Sequence, residues 1–443
     1  MRTKSWLLLL PSLGILLAGV GVLLLKTYPK ADFSFAPWLG GVVILAVGIQ
    51  LLLQRSQPAI DAWLFPMVLF FSSIGIIMVA RLKPALFIPQ LRWLLIGMAV
   101  FLLVIRLSER ILSFVEYPYL VGVCCLVVLC LPLFLGTEIG GSRNWLVFGP
   151  FQVQPSEFGK ILIVMFLSAY LADHKNVLML PSRRLLFLHL PPLRFIAPLL
   201  CIWGIAVLMF VIQKDLGSAL LFFGIAILMT YMATGNKSYV FLALSFFALS
   251  AVASYMMFGH VRVRFNIWLH PWADPNGQAY QVVQSLFAFG SGGVWGTGFA
   301  HGQPGLIPEV HTDFIFSAIA EELGLLGAVM VILAYMLFFY RSIRIAMQCR
   351  TDVRILLAAG FAVVFLLHHA AFHKLWRQFD GVGIHYAWLA DSTVKEGEWQ
   401  WLSAILRNIS GRQRYSFWGA SSCCWVILFI YRPIWHRPRR VIR

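Results

Sequence analysis

The sequence predicts an all-α polytopic membrane protein of about 12 transmembrane helices. Of its 443 residues, 60% are hydrophobic and only 12% charged, and the mean hydropathy is +0.82. A soluble chain of this length has no interior large enough for so much apolar surface. The apolar residues fall into runs of roughly 20, the length with which an α-helix crosses the bilayer hydrocarbon. The basic residues collect in the short stretches between those runs.

In chain order the runs begin near Trp6, Ala36, Ile60, Leu91, Tyr117, Ser156, Phe195, Ser218, Tyr239, Phe314 and Val353, and a weaker twelfth covers 416–431. The first, over 6–25, lacks a small-residue cleavage site and reads as a retained helix rather than a signal peptide. With Arg2 and Lys4 inside, the loops on that side collect Arg55, Arg106, Arg110, Lys175, Arg183, Arg184, Arg194, Lys237, Arg341, Arg344, Arg350 and Arg354. The opposing loops hold Lys26, Lys30, Arg81, Lys83 and Arg143. This bias puts both termini in the cytoplasm and the long loops 136–155 and 259–313 outside, together with 213–217. It also accounts for the formal charge of +17 without a nucleic-acid partner. The seven cysteines lie mostly inside apolar runs without metal-ligand spacing. The absence of a Gly-rich phosphate loop argues against direct use of ATP.

Four carboxylates, Glu309, Asp313, Glu321 and Glu322, sit at or inside the run that begins at Phe314. Ionisable groups at membrane depth are costly and usually functional. The plainer alternative for Asp313 is an N-cap on a helix starting at Phe314. Glu321, about two turns on, shares a face with Asp313 if the helix is continuous. Glu322 then points about 100° away, toward a neighbouring helix.

Upstream, Gly140-Gly141-Ser142-Arg143-Asn144-Trp145 precedes Gln154-Pro155-Ser156-Glu157 and Lys160. Ser156 and Glu157 suit a helix N-terminus. Lys160, one turn in, either snorkels to the surface or binds an anionic head group. In Gln213-Lys214-Asp215-Leu216-Gly217, Asp215 is placed to cap the next helix. The outer loop 259–313 combines Arg262, Arg264, Trp268, Trp272, Tyr280-Gln281, Gln284-Ser285 and clustered glycines. Guanidinium forks suit phosphate, flat rings suit sugar faces, and glycines admit close backbone approach, so the loop fits an anionic, sugar-bearing ligand. A tryptophan-rich loop lying at the membrane surface is the alternative.

Several of these motifs together resemble one family. Gly141-Ser-Arg-Asn-Trp145, Gln154-Pro-Ser-Glu157 with Lys160, Asp215-Leu-Gly217, Tyr280-Gln281 with Gln284-Ser285, Gly290-Ser-Gly-Gly293, and His311-Thr-Asp-Phe-Ile-Phe316 with Glu321-Glu-Leu-Gly324 resemble the SEDS proteins. This is the shape, elongation, division and sporulation family typified by RodA and FtsW, and the resemblance runs in order across residues 60–366. It implies a ten-helix core, preceded here by two extra helices, that polymerises lipid II into glycan strands at the outer face of the bacterial cytoplasmic membrane. A class B penicillin-binding protein is the implied partner, for elongation, division or sporulation. The Asp of the His-Thr-Asp-Phe motif, here Asp313, is the implied catalytic carboxylate.

The chemistry suits the residues. The sugar 4-hydroxyl must lose a proton as it attacks an anomeric carbon bearing a lipid pyrophosphate, which calls for a positioned carboxylate and several cations. Asp313 can serve as the base, and Arg143, Lys160, Arg262 and Arg264 can neutralise pyrophosphate. Trp145, Asp215, Gln281, Gln284, Ser285, His311, Thr312 and Glu321 complete the expected substrate-binding set for lipid II and the growing lipid-linked glycan. The donor is already activated, so the reaction needs no nucleotide, and no cofactor is certain. A divalent cation on the pyrophosphate is compatible with this chemistry, but no ligand cluster demands one.

The chain also departs from the family. Lys214 stands where members usually carry Pro, and the segment at Gly302-Gln-Pro-Gly305 is shorter than usual. Beyond the run at Val353, the Pro-Leu-Thr-Gly, Leu-Pro-Phe and Gly-Gly-Ser-Ser pattern is missing, and the composition of 368–415 shifts to mixed charge. This reads as a frame altered near residue 367 and partly restored before the basic tail; finding an intact frame on resequencing the gene refutes it. The expected organisation is a two-helix addition over 1–59, a SEDS-like core over 60–367, an atypical polar segment over 368–415, and a weak terminal helix with a basic tail over 416–443. Two other functions compete with polymerisation. One is a flippase for lipid-linked precursor, with buried charges along its path. The other is an inactive scaffold for the penicillin-binding protein.

Overall fold

The computed structural model describes residues 5–27, 33–56, 61–139, 142–148, 151–179, 183–185, 188–190, 193–213 and 215–369. Its long helices follow the apolar runs: α1 (Leu9–Thr27), α2 (Ala36–Ser56), α3 (Leu64–Leu82), α4 (Phe87–Val115), α5 (Pro118–Leu135), α6 (Pro155–Met179), α7 (Leu193–Ile212), α8 (Leu216–Thr234) and α9 (Lys237–Met257). The expected outer loop then contributes α10 (Gly259–Leu269), α11 (Tyr280–Gly292) and the single turn α12 (Val310–Asp313), before α13 (Ile315–Ala346) and α14 (Asp352–His369). Among the described residues, 10 helices are long and apolar enough to cross a membrane, and α14 is the further helix expected from Val353. The chain is an all-α, multi-pass membrane protein. The run at 416–431, and the atypical segment from 370 onward, lie outside the described residues.

Helix α6 is the centre of the bundle. Ile163, Val164, Phe166, Leu167 and Leu171 are each 0% exposed, because α5, α8 and α14 surround a helix that is apolar on all sides. Aromatic rings join α3, α13 and α14: Phe71 lies 4.2 Å from Tyr335, and Phe338 lies 4.1 Å from Phe365, between ring centroids. Helix α1 packs along α3, with Leu9, Leu13, Leu16 and Val20 in the core and Ser12 Oγ donating to Pro66 O at 2.8 Å.

The loops are more ordered than polarity alone suggests. Residues in 136–155 form a small antiparallel sheet of β1 (Thr137–Ile139), β2 (Ser142–Phe148) and β3 (Phe151–Val153), with Thr137 opposite Trp145 and Val147 opposite Gln152. The Trp145-Leu-Val-Phe148 run of aromatic and branched residues favours that extended state. A second hairpin, β4 (Arg183–Leu185) and β5 (Leu188–Leu190), joins α6 to α7.

Polar contacts gather in two sets. One joins Asp61 to Arg341, Lys175 to Asp352, and Tyr239 Oη to Leu178 O at 3.0 Å. The other joins Arg143 N to Gln213 O, Asn144 to Asp215, Arg81 to Glu322, and Lys26 to Ala300. These sets fall in the loops that the charge bias assigns to opposite sides of the membrane.

Candidate active site

Helix α13 is broken at Gly324, whose backbone has φ 69° and ψ −172°. A break at membrane depth strands amides and carbonyls that lipid cannot satisfy. Here the preceding segment 293–303 lies across the break as a strap and satisfies them. Leu325 and Leu326 donate their amides to Gly293 O (2.9 Å) and Val294 O (3.3 Å), while Thr297 and Gly298 donate theirs to Glu321 O (2.9 Å) and Glu322 O (3.0 Å). A Cβ on Gly324 would lie 2.3 Å from Gly296 N, and one on Gly296 would lie 2.3 Å from Glu322 O, so glycine is required on both sides of the crossing.

The two carboxylates of α13 hold the strap. Glu322 is 0% exposed; its Oε1 takes a charged hydrogen bond from Arg81 Nε of α3 at 3.0 Å, and its Oε2 accepts from Ala300 N at 3.0 Å. Arg81 also donates through Nη2 to Gly302 O at 2.9 Å. Glu321 accepts from Gln303 N at 2.6 Å. Glu322 therefore does pair with a neighbouring helix, as its direction predicts. Contrary to the helical periodicity, Glu321 and Asp313 do not share a helix face. Phe314, at φ −130° and ψ 28°, leaves the helical region between α12 and α13, so no continuous helix carries both residues.

Between Gln303 and α13 the chain makes a closed loop that ends in α12 and Asp313. Glu309 starts α12 in the left-handed region, at φ 51°, and accepts through its carbonyl from Asp313 N (3.0 Å) and Thr312 Oγ1 (3.0 Å). Asp313 is exposed and stands one residue before Phe314, the N-cap of α13, which makes no side-chain capping bond. Thr312 is also exposed, and His311 is half-buried with Nδ1 3.9 Å from a Glu309 carboxylate oxygen. Burial, and then the positive charge of Lys83, push the His311 pKa below its ordinary value against the opposing pull of Glu309 and Asp313. Protonation of His311 is thus disfavoured next to an exposed carboxylate.

A second polar cluster forms around Asp215, which caps α8 as expected: Oδ1 accepts from Ser218 N at 3.1 Å. Its Oδ2 accepts from Asn144 Nδ2 (2.8 Å), Ser218 Oγ (2.8 Å) and Gln154 Nε2 (3.3 Å), tying β2 and the start of α6 to α8. Lys160 neither snorkels nor faces an open surface. It is 1% exposed, with Nζ 2.8 Å from Glu157 Oε1, because two charges one turn apart inside the bundle are less costly paired than apart. Arg143 is exposed, with Nε 2.9 Å from Gly136 O, and Trp145 is half-buried in β2.

The remaining expected ligands are dispersed. Arg262 and Arg264 are exposed on α10; the Arg262 guanidinium lies 5.6 Å from the Tyr255 ring centroid and donates to Met256 O at 3.1 Å. Gln281 is half-buried at the start of α11, while Gln284 and Ser285 are buried. Ser285 Oγ sits 2.8 Å from Ser317 Oγ, which places it in the packing of α11 on α13 rather than on an open surface. Arg81, Lys83, Asn144 and Gln154 belong to these clusters but were absent from the expected set; a lone arginine ending the apolar α3 is the signal that could have found Arg81. Among the described residues, no group of three His, Cys, Asp or Glu is arranged to hold a metal ion.

The family model for FtsW, RodA and SpoVE, described as cell cycle protein, matches residues 55–372. The chain belongs to this SEDS family. The match begins at the end of α2 and ends shortly past α14, so α1 and most of α2 precede it. The SEDS chain is 37% identical over 325 residues to the peptidoglycan glycosyltransferase RodA of Mycobacterium tuberculosis, covering 70% of this chain and 69% of that one. It is 31% identical over 321 residues to a probable peptidoglycan glycosyltransferase FtsW of Legionella pneumophila, covering 68% and 78%. Among solved structures, a chain from work on the structural coordination of polymerization and crosslinking by a peptidoglycan synthase complex superposes with a TM-score of 0.61 at 26% identity, covering 86% of this chain and 99% of that one.

Proposed function

We propose that this chain is a peptidoglycan glycosyltransferase that polymerises lipid II at the outer face of the bacterial cytoplasmic membrane, with Asp313 as general base. Membership of the SEDS family and the glycosyltransferase names of its relatives support the activity. The observation that carries the site is the exposed Asp313 carboxylate on a loop whose base is anchored at the break in α13. In the reaction the acceptor 4-hydroxyl oxygen bonds to the anomeric carbon of the donor sugar. The bond from that carbon to the lipid pyrophosphate breaks, the pyrophosphate leaves with the electron pair, and the proton passes to Asp313. His311 can orient the hydroxyl, and the exposed cations Arg143, Arg262 and Arg264 can attract pyrophosphate. Both termini lie in the cytoplasm in this reading. The likeness to a chain of a peptidoglycan synthase complex supports a class B penicillin-binding protein as partner.

The test is purified full-length chain, with and without that partner, given labelled lipid II. Glycan polymer is expected, and Asp313→Asn should lower its rate by roughly 100-fold or more while leaving the unfolding temperature unchanged. Polymer at an undiminished rate from Asp313→Asn overturns the assignment. Movement of lipid II across vesicles without polymer selects the flippase instead.

A further inference from the structure

We infer that Lys26, at the end of the first helix of the two-helix addition, is a positioning residue for the transferase loop. By holding the Ala300 carbonyl it fixes the strap, and through the strap the loop that ends in Asp313. The inference rests on the function proposed above for that loop.

Ala300 is 1% exposed and has φ 65°, a left-handed backbone that is unfavourable for a residue with a Cβ. Such a conformation persists only where the surroundings hold it. Here it is held from both sides: the Ala300 amide donates to Glu322 Oε2 at 3.0 Å, and its carbonyl accepts from Lys26 Nζ. Three residues in near succession are thus anchored from three helices: Ala300 by α1 and α13, Gly302 by Arg81 of α3, and Gln303 by Glu321 of α13. The loop to Asp313 departs from that point. Lys26 also lies in the last turn of α1, where a cation is favoured by the helix dipole and can reach the interface without any partner. That reading explains the charge but not its bond to a strained carbonyl 274 residues away. Because α1 precedes the family match at residue 55, the addition would contribute to the site from outside the common core.

The experiment compares the full chain with Lys26→Met and Lys26→Arg. Amide hydrogen exchange is followed over 296–303, and kcat and KM are measured for lipid II polymerisation. Lys26→Met is expected to speed exchange in the strap and to lower kcat roughly tenfold with KM unchanged, since a displaced base impairs chemistry more than binding. Lys26→Arg should restore both. Unchanged strap exchange in Lys26→Met overturns the inference. So does exchange that rises equally across α1 and α3, which would mark Lys26 as a brace for the fold alone. If the wild-type chain makes no polymer, the functional reading fails, and strap exchange still decides whether Lys26 clamps Ala300.

Discussion

Arg81 Nε and Glu322 Oε1 lie 3.0 Å apart, an ion pair between α3 and the break of α13 in which the glutamate side chain is 0% exposed and the arginine side chain 24%. Arg81→Met leaves the buried Glu322 carboxylate without its guanidinium partner, while the Ala300 amide still donates to it. Losing one partner of a buried pair costs about 3–5 kcal/mol. A clear fall in the detergent unfolding temperature is expected, and the Arg81→Met, Glu322→Leu double variant should lose less than the two single variants summed.

Gly324→Ala should be among the most damaging small substitutions in the chain. The new Cβ would sit 2.3 Å from Gly296 N on a backbone at φ 69°, and both faults act at once. On the order of 3 kcal/mol or more is expected. Gly305→Ala, which meets nothing within 4 Å, serves as the control and should change stability by less than about 0.5 kcal/mol. Folded yield by size-exclusion chromatography distinguishes the two.

Asp215→Ala removes the α8 cap and the acceptor used by Asn144, Gln154 and the Ser218 hydroxyl. The cap alone is worth about 1 kcal/mol, so Asp215→Ala should exceed Ser218→Ala in cost. Proteolysis within 136–155 should also accelerate, because Asn144 holds β2 to α8 through this carboxylate.

His311 provides a pH signature. Burial first, and Lys83 second, hold its folded pKa below the ordinary 6.5. As pH falls below about 6.5 the unfolded chain therefore takes up a proton that the folded chain resists, and stability declines until the lowered folded pKa is passed. Polymerisation by the folded chain should hold through this window and decline only at its lower end, where pH reaches the lowered folded pKa and the imidazole beside Asp313 takes up its proton. His311→Gln should flatten this component of the unfolding temperature measured against pH; an unchanged profile would show that another group titrates there.

The long helices were legible because their apolar runs match the thickness of the hydrocarbon, and Asp215 was legible because a cap is a local device. The break in α13 was not. Gly324 inside an apolar run reads as a tolerated glycine, and only the distant strap reveals that it changes direction. The same distance hid Arg81 from Glu322, 241 residues apart. Lys160 misled for a related reason: its spacing from Glu157 was visible, but not that its face of α6 is buried by neighbouring helices, which makes a pair more favourable than a reach to the surface. Glu321 was placed with Asp313 on helical periodicity, and Phe314 interrupts that periodicity with a single residue.

The crossing at Gly324 is closed largely by main-chain atoms: the carbonyls of Gly293 and Val294, and the amides of Thr297 and Gly298. Such a joint reads backbone shape and ignores most side chains. Substitutions along the strap that respect its two crowded glycines and its anchors should therefore accumulate without opening the membrane helix. The segment that follows, ending in Asp313, is then free to change in length and composition, so this part of the molecule can acquire new substrate preferences while the bundle beneath it stays the same.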